Sequence, residues 1–318
     1  MKILNTIGEQ FNLEAQKVLK RFGEVEYQKF SQDEFGHALK NFDAVIIGLG
    51  LRLDGGVIDG APNLRLIATA TTGLDHIDVA RAQERGIQIL SLQDEDLKAV
   101  TGTAELAWGL LISLVRHIPE AFTDVKNGGW EREKFFGNNL AGKTLGIVGL
   151  GRLGTMMAQY GRVFGMRVIA YDPYQDASEG APLVDFKILL SESDIISIHA
   201  PFNKETQDLF NKKAFRQMKN SAYLINTSRG QIVNEADVLK ALKSKTIAGY
   251  AADVLAGETE FGNDASDHPL VTYAKEHENV IITPHIGGYT AESRAATDII
   301  IAHKVAEHLG VILAKQRD

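Results

Sequence analysis

Thr144-Leu145-Gly146-Ile147-Val148-Gly149-Leu150-Gly151-Arg152-Leu153-Gly154 carries an apolar strand into a turn with three spaced glycines, then into a helical pattern that runs through Gly161. Each glycine has a physical reason. Gly149 permits a tight turn, Gly151 lets a pyrophosphate approach the backbone, and Gly154 lets helix and strand pack closely. The first amides of the helix, entered through Arg152 and Leu153, and its positive end bind phosphates without requiring a lysine. A glycine triplet alone is weak evidence, and the next strand strengthens it. Arg167-Val168-Ile169-Ala170-Tyr171-Asp172 ends in an acid 18 residues beyond Gly154, where an acceptor for a ribose 2′-hydroxyl is expected. Asp172 would repel a 2′-phosphate, and Pro173-Tyr174-Gln175 offers no arginine to receive one, so NAD is favoured over NADP. The competing reading of Asp172 is a strand-end turn residue before Pro173.

Outward from this stretch the same alternation continues in both directions. Strands are expected at residues 2–5, 24–28, 43–48, 65–70, 87–91, 144–150, 167–172, 194–199, 222–226, 247–252 and 280–283. Many are continuous apolar runs, as required when helices cover both faces of a parallel sheet. Strand–helix repetition of this kind reads as doubly wound α/β. At 318 residues the chain exceeds the size at which single cores stop growing, so two domains are expected. A long apolar helix is expected at 99–116, then a polar stretch at 126–139, and a last helix at 291–309. The expected division is 1–99 plus 290–318 as one domain and 100–289 as the second, with the last helix returning to the first.

Composition narrows the functional classes. The hydrophobic fraction is 44% and the charged fraction 24%, ordinary for a globular protein. A net charge of -7 and a pI near 5.8 argue against a broad grip on nucleic acid or an anionic membrane. The absence of cysteine excludes disulfides, thiolate metal sites and a cysteine nucleophile, and no metal site is expected. No secretory leader follows Met1 and no apolar run approaches the roughly 18 residues of a membrane span, so a cytoplasmic protein is expected.

Three downstream segments read as strand ends, where ligands of open α/β sheets bind. The first is Tyr223 to Gly230, in which Arg229 follows an apolar strand. Arg229 either holds a carboxylate in a two-pronged pair or is a solvated residue ahead of the helix that starts near Asn234. The second is Ala251-Ala252-Asp253-Val254, followed by Glu258, for which a solvated loop position is the plainer alternative. The third is Ile282-Thr283-Pro284-His285-Ile286-Gly287-Gly288, a rigid turn around one imidazole. Hydride transfer at a hydroxyl-bearing carbon needs a base, and its reverse needs an acid; histidine serves both. A nearby carboxylate would orient the ring and raise its pKa. An isolated loop histidine is more often surface, and His37, His117, His277, His303 and His308 need no role.

Several of these blocks recur together, in order, in one family. From about Ala61 to Ala296 the chain resembles the D-isomer-specific 2-hydroxy acid dehydrogenases, the group that includes phosphoglycerate, glycerate, glyoxylate/hydroxypyruvate and D-lactate dehydrogenases. The resemblance rests on Thr72 to Asp78, Thr103-Ala104-Glu105, Leu140 to Thr144 leading into the glycine loop, His199-Ala200-Pro201, Asn226 to Gly230, Asp253 to Glu258 and Thr283 to Gly288. It implies two doubly wound parallel-sheet domains, a flavodoxin-like substrate-binding domain and a Rossmann NAD-binding domain inserted in it. It implies that Arg229 binds the substrate carboxylate and carbonyl, that His285 is the acid/base and that Glu258 pairs with it. Asp253 would face the nicotinamide carboxamide. Thr103, His199, Pro201, Thr227, Ser228 and Gly287 would lie near the cofactor, and backbone amides near Gly73 would help hold the carboxylate. Arg52 is a candidate second anion contact, its alternative an ordinary surface arginine. The expected partners are a small 2-hydroxy or 2-oxo acid and a second copy of the chain, with Trp130 a candidate for that contact.

Two departures bear on these expectations. Thr259 follows Glu258 where the family usually has proline, and the stretch Phe261 to Asp267 is longer than is common. The chain ends at Asp318, so feedback by serine through a C-terminal regulatory domain is not expected. A different class of protein with a related fold, an NAD-sensing corepressor or scaffold, would be distinguished by the absence of turnover. Formate dehydrogenases share the architecture but pair their histidine with glutamine, and Glu258 speaks against them.

Overall fold

The apolar runs become strands buried from both sides. The computed structural model describes residues 1–176, 180–262 and 264–315, and divides into two units, Met1–Val100 with Thr290–Asp318, and Thr101–Tyr289.

In the first unit, strands β1 (Lys2–Asn5), β2 (Glu24–Tyr27), β3 (Ala44–Ile47), β4 (Leu66–Thr69) and β5 (Gln88–Leu90) form a parallel sheet of order β2-β1-β3-β4-β5. Side chains alternate across it. Ile3, Ala44, Ile46, Leu66 and Ala68 point to one core, and Leu4, Val45, Ile47 and Ile67 to the other. An apolar residue at every position is what two covered faces demand. The first core is completed by Phe11, Ala15 and Leu19 and by Ile301, Ala302, Val305 and Leu309 of the terminal helix Ala291–Lys315. Two polar ties add to that packing. The buried Asp298 carboxylate accepts the Asn12 amide at 3.0 Å, while the Asn12 side chain caps the helix Leu13–Leu19. Lys304 Nζ lies 2.5 Å from Asp96 Oδ2 and donates to the Ser91 carbonyl. The helix runs past 309 because Gly310 does not interrupt it.

In the second unit, β6 (Thr144–Val148), β7 (Arg167–Tyr171), β8 (Ile195–Ile198), β9 (Tyr223–Asn226), β10 (Gly249–Ala252) and β11 (Val280–Ile282) form a parallel sheet of order β11-β10-β9-β8-β6-β7. Leu145, Ile147, Val168, Ala170, Ile225 and Ala251 fill one core; Val148, Ile196, Ile198, Leu224, Tyr250 and Ala252 fill the other. The chain leaves β6 to one side for β7 and returns to the other for β8. This reversal opens a crevice at the carboxyl ends of the strands, where doubly wound sheets take ligands. Both sheets are therefore of the expected doubly wound kind. β6 ends at Val148, two residues short of the expected 144–150, because Gly149 adopts φ +87° and turns the chain out of the sheet. The long apolar helix spans Gly102–Val115. Among the described residues, no helix is long and apolar enough to cross a membrane.

Ile46, fully buried on β3, tests the two-faced burial. Ile46→Ala is expected to lower unfolding stability by about 2–5 kcal/mol in chemical denaturation. A loss under about 1 kcal/mol would mean that this side chain is not packed.

Candidate active site

The parallel register brings the carboxyl ends of β6, β8, β9, β10 and β11 to one edge of the sheet, and the chemistry-bearing residues follow those ends. After β6, an added Cβ at Gly149 would lie 2.6 Å from the Ala200 amide nitrogen, and one at Gly154 would overlap the Gly149 carbonyl. Glycine is thus required for helix Arg152–Val163 to start this close to the strand. Gly151 stands at the N-cap of that helix without a side-chain cap. Arg152 and Leu153, both half-buried, form its first turn. Asp172, just past β7, accepts the Leu150 amide at 2.9 Å through Oδ2 and the Tyr174 amide at 3.0 Å through Oδ1. The acid is therefore seated against the glycine loop. Tyr174 donates its hydroxyl to Glu205 on the loop after β8.

His199 follows β8, its amide donating to the Val148 carbonyl at 2.7 Å and its Nε2 2.8 Å from Ser197 Oγ. Burial pushes its pKa down to about 4, so the ring is neutral at pH 7. Pro201 is exposed two residues on. Past β9, Asn226 closes a tight turn: its Nδ2 donates to the Arg229 carbonyl at 2.9 Å and its Oδ1 accepts the Ser228 amide at 3.1 Å. Ser228 donates its hydroxyl to the Ala200 carbonyl, joining this turn to the loop after β8. Arg229 is half-buried, with Nη1 donating to the Ser228 carbonyl at 2.8 Å. The Thr227 hydroxyl is buried with no hydrogen-bond partner among the described residues.

The tightest arrangement lies past β10 and β11. Asp253, 1% exposed, accepts the Thr283 hydroxyl at 2.6 Å and the Ile286 amide at 2.9 Å through Oδ1, and the Gly287 amide at 2.7 Å through Oδ2. Its carbonyl accepts the His285 amide at 2.8 Å. Burial raises the Asp253 carboxyl, and the hydrogen bonds from Thr283, Ile286 and Gly287 work against that rise. His285 sits at φ +53°, a left-handed backbone that non-glycine residues seldom adopt. Its Nδ1 is 2.5 Å from Glu258 Oε1. Glu258 folds its other oxygen back to accept the Leu255 amide at 3.1 Å. Thr103, on the first turn of helix Gly102–Val115, lies against Gly287 beside Asp253.

Arg229 belongs to the same cluster through its neighbour. An added Cβ at Gly230 would overlap the Leu255–Ala256 peptide, so the turn that carries Glu258 rests directly on the residue after Arg229. Arg229, Asp253, Glu258, His285, Thr103, Gly287 and the glycine loop all lie in the unit Thr101–Tyr289. Gly73 and Arg52 lie in the other unit. Their loops are joined there by a bridge between Leu53 and Ile77, and the Thr71 hydroxyl donates to the Gly73 carbonyl at 2.9 Å. Thr69 Oγ1 lies 2.9 Å from Thr71 Oγ1 and 3.3 Å from Nε2 of the buried His76. Sequence reasoning missed Asn226, Gly230 and Thr283 as parts of this site. A polar residue ending an apolar strand marks Asn226, but nothing local marks Gly230, whose constraint comes from a peptide 25 residues away.

The chemistry available to this edge is specific. A helix start with no side-chain cap, approached by backbone that glycine alone permits, suits a pyrophosphate. The orphaned Thr227 hydroxyl waits for a polar partner, and both observations fit a dinucleotide. An imidazole whose Nδ1 is held by a carboxylate exchanges protons through Nε2. Residues 108–287 match the family model described as D-isomer specific 2-hydroxyacid dehydrogenase, NAD binding domain. The chain is 33% identical to a hydroxypyruvate reductase of Thermotoga maritima over 96% of its own length and 98% of that protein. It is 36% identical to a D-3-phosphoglycerate dehydrogenase of Archaeoglobus fulgidus over 96% of its length, and spans 56% of that longer protein. A crystal structure of D-lactate dehydrogenase from Aquifex aeolicus, complexed with NAD and lactic acid, superposes with a TM-score of 0.85 at 26% identity, covering 99% of this chain and 97% of that one. The chain belongs to the D-isomer-specific 2-hydroxyacid dehydrogenase family and carries that family's NAD-binding domain.

Proposed function

We propose that this protein transfers a hydride between NAD(H) and C2 of a small D-2-hydroxy acid or its 2-oxo acid, with His285 as acid/base, Glu258 as its partner and Arg229 as the carboxylate contact. The observation that carries the reading is the 2.5 Å contact between His285 Nδ1 and Glu258 Oε1, on a turn that packs against Gly230, the residue after Arg229. The bound nicotinamide supplies the hydride in reduction and accepts it in oxidation. The chain does the rest. In reduction, His285 gives the proton on Nε2 to the carbonyl oxygen as C2 receives the hydride, and Glu258 stabilises the imidazolium that precedes this step. In oxidation His285 removes the hydroxyl proton. Proton transfer of this kind is worth about 10²–10⁴ in rate. The planar guanidinium of Arg229 fits a carboxylate through two parallel hydrogen bonds.

The glycine loop Gly149, Gly151 and Gly154, with Arg152 and Leu153, would hold the pyrophosphate, and Asp172 the ribose hydroxyls. Thr103, His199, Pro201, Thr227, Ser228, Asp253 and Gly287 would complete the cofactor site. The unit Thr101–Tyr289 is then the NAD-binding domain, and Met1–Val100 with Thr290–Asp318, which carries Gly73 and Arg52, the substrate-binding domain. The substrate lies among phosphoglycerate, glycerate/hydroxypyruvate, glyoxylate and lactate. The names of the relatives span several of these, and a panel of 2-oxo acids followed by NADH absorbance separates them. A cofactor-sensing protein would keep the glycine loop as well, so turnover in the same panel decides between the two roles. We place the reaction in the cytoplasm, where a cysteine-free, acidic NAD-linked enzyme is at home.

We infer a homodimer. Ile118, Phe122 and Val125 are exposed on helix Ile118–Lys126, close in sequence to Trp130, 88% exposed, and Phe136, 92% exposed. Large apolar groups concentrated in one short segment need a cover.

His285→Ala is expected to remove most turnover, by about 10²-fold or more, while NADH affinity measured by fluorescence stays near wild type. Equal loss of both would make the imidazole structural. Asp172→Ala is expected to raise the NADPH-to-NADH ratio of kcat/KM by about tenfold, and an unchanged ratio would remove Asp172 from the ribose site. Phe122→Glu with Trp130→Glu is expected to halve the mass seen by light scattering; a mass that stays dimeric, or a wild-type chain already monomeric, counts against this face.

A further inference from the structure

Glu258 stands in a turn that no proline stiffens. Thr259 follows it, so no pyrrolidine ring limits φ there. Gly257, at φ +74°, leads into the short helical turn Glu258–Glu260. Yet His285 needs the Glu258 carboxylate in one place. Part of the restraint is local, the Leu255 amide donating to Glu258 Oε2 at 3.1 Å, and part comes from outside the turn. Glu235, the first residue of helix Glu235–Lys243, accepts the Ala256 amide through Oε1 at 2.8 Å. Its Oε2 lies 3.0 Å from His268 Nε2, and the two side chains are 18% and 11% exposed. His268 caps helix Pro269–Ala274 by accepting the Leu270 amide on Nδ1 at 3.3 Å. A ring that accepts on Nδ1 carries its proton on Nε2 when neutral, so it donates to Glu235. Phe261 lies against the same ring, centroids 5.5 Å apart.

We propose that Glu235 and His268 are a positioning pair for the reaction: they clamp the Leu255–Glu258 turn at Ala256 and thereby aim Glu258 at His285. The inference rests on the reading of His285 as acid/base. Glu235 reaches the turn at one end, and Glu258 reaches His285 from the other. Gly230 supports the turn from below, where its missing side chain admits the Leu255–Ala256 peptide. The pair also spans the long stretch after Glu258. Its far anchor, His268, lies just beyond Phe261 to Asp267, of which Asn263 lies outside the described residues. Local turns order the described residues on either side, with the Asp264 amide donating to the Phe261 carbonyl and the His268 amide to the Ala265 carbonyl, both at 3.0 Å, and the His268 side chain adds a tie back to helix Glu235–Lys243.

The carboxylates facing His285 are Glu258, from the turn, and Asp253, from the end of β10. Asp253 holds the backbone of residues 285–287 and the Thr283 hydroxyl, and Glu258 holds the ring. Releasing the turn weakens the second only, so the imidazolium loses the carboxylate that supports it.

The test uses the full chain as wild type, Glu235→Ala, Glu235→Gln, His268→Ala and Glu258→Gln. The His285 ring is followed by NMR titration without cofactor, and kcat, KM and NADH affinity are measured beside it. Glu235→Ala is expected to move the His285 midpoint to lower pH, in the direction of Glu258→Gln. It is also expected to lower kcat by about 10- to 100-fold, with KM and NADH affinity within about twofold of wild type. Glu235→Gln keeps an oxygen for the Ala256 amide and should recover most of kcat. His268→Ala should shift the midpoint the same way by less, and it carries the test if Glu235→Ala does not fold. A wild-type midpoint in both alanine variants overturns the proposal. Turnover that survives His285→Ala ends the acid/base reading, while the midpoints still decide whether this pair positions Glu258.

Discussion

Asp253 holds, in one buried carboxylate and one carbonyl, the hydroxyl of Thr283 and the amides of His285, Ile286 and Gly287. The left-handed backbone of His285 depends on this. A non-glycine residue at positive φ costs of order 1–3 kcal/mol and persists only where its surroundings over-determine it. Four hydrogen bonds from a five-residue segment supply that over-determination. Had the segment relaxed, the ring would swing away from Glu258. The functional reading of His285 therefore stands on a backbone constraint before it stands on any side-chain pair.

The resemblance assigns Asp253 to the nicotinamide carboxamide, and the structure gives its oxygens a prior occupation in the His285 segment. The two are compatible only in a limited way. Oδ1 already accepts two hydrogen bonds and Oδ2 one, so Oδ2 retains the capacity for a cofactor donor. Asp253 and Glu258 thus divide the work around one histidine, one acting on the main chain and the other on the ring. Neither is a strong isolated signal in sequence, since each follows a strand or sits in a loop where a solvated acid is the ordinary occupant.

The parallel sheet explains why the site is assembled from the ends of six strands and the start of one helix. In a parallel sheet every strand ends on the same edge, so the residues one to three positions past β6, β7, β8, β9, β10 and β11 become neighbours in space. Small and polar residues there serve as spacers and ties. Asn226 closes the Arg229 turn, Ser228 binds it to the loop after β8, and Gly230 lets the Glu258 turn settle against it. Loss of any of these would leave Arg229, Glu258 and His285 intact and misplaced. The unit that contains Gly73 applies a similar device, where the Thr69, Thr71 and His76 side chains secure the loop after β4.

Strand positions, the doubly wound class and the glycine loop were legible from residue order alone, because they follow from local periodicity and from backbone conformations that glycine uniquely allows. The acid at the end of β7 and the imidazole after β11 were legible as candidates, because strand ends are where such sheets place ligands. What residue order could not determine was distance. That His285 sits at positive φ against Asp253, that the turn bearing Glu258 is tied at Ala256 to Glu235, and that Glu235 and His268 meet across 33 residues are properties of packing. Each pairs groups far apart along the chain, and only the closed hydrophobic core brings them within hydrogen-bonding reach.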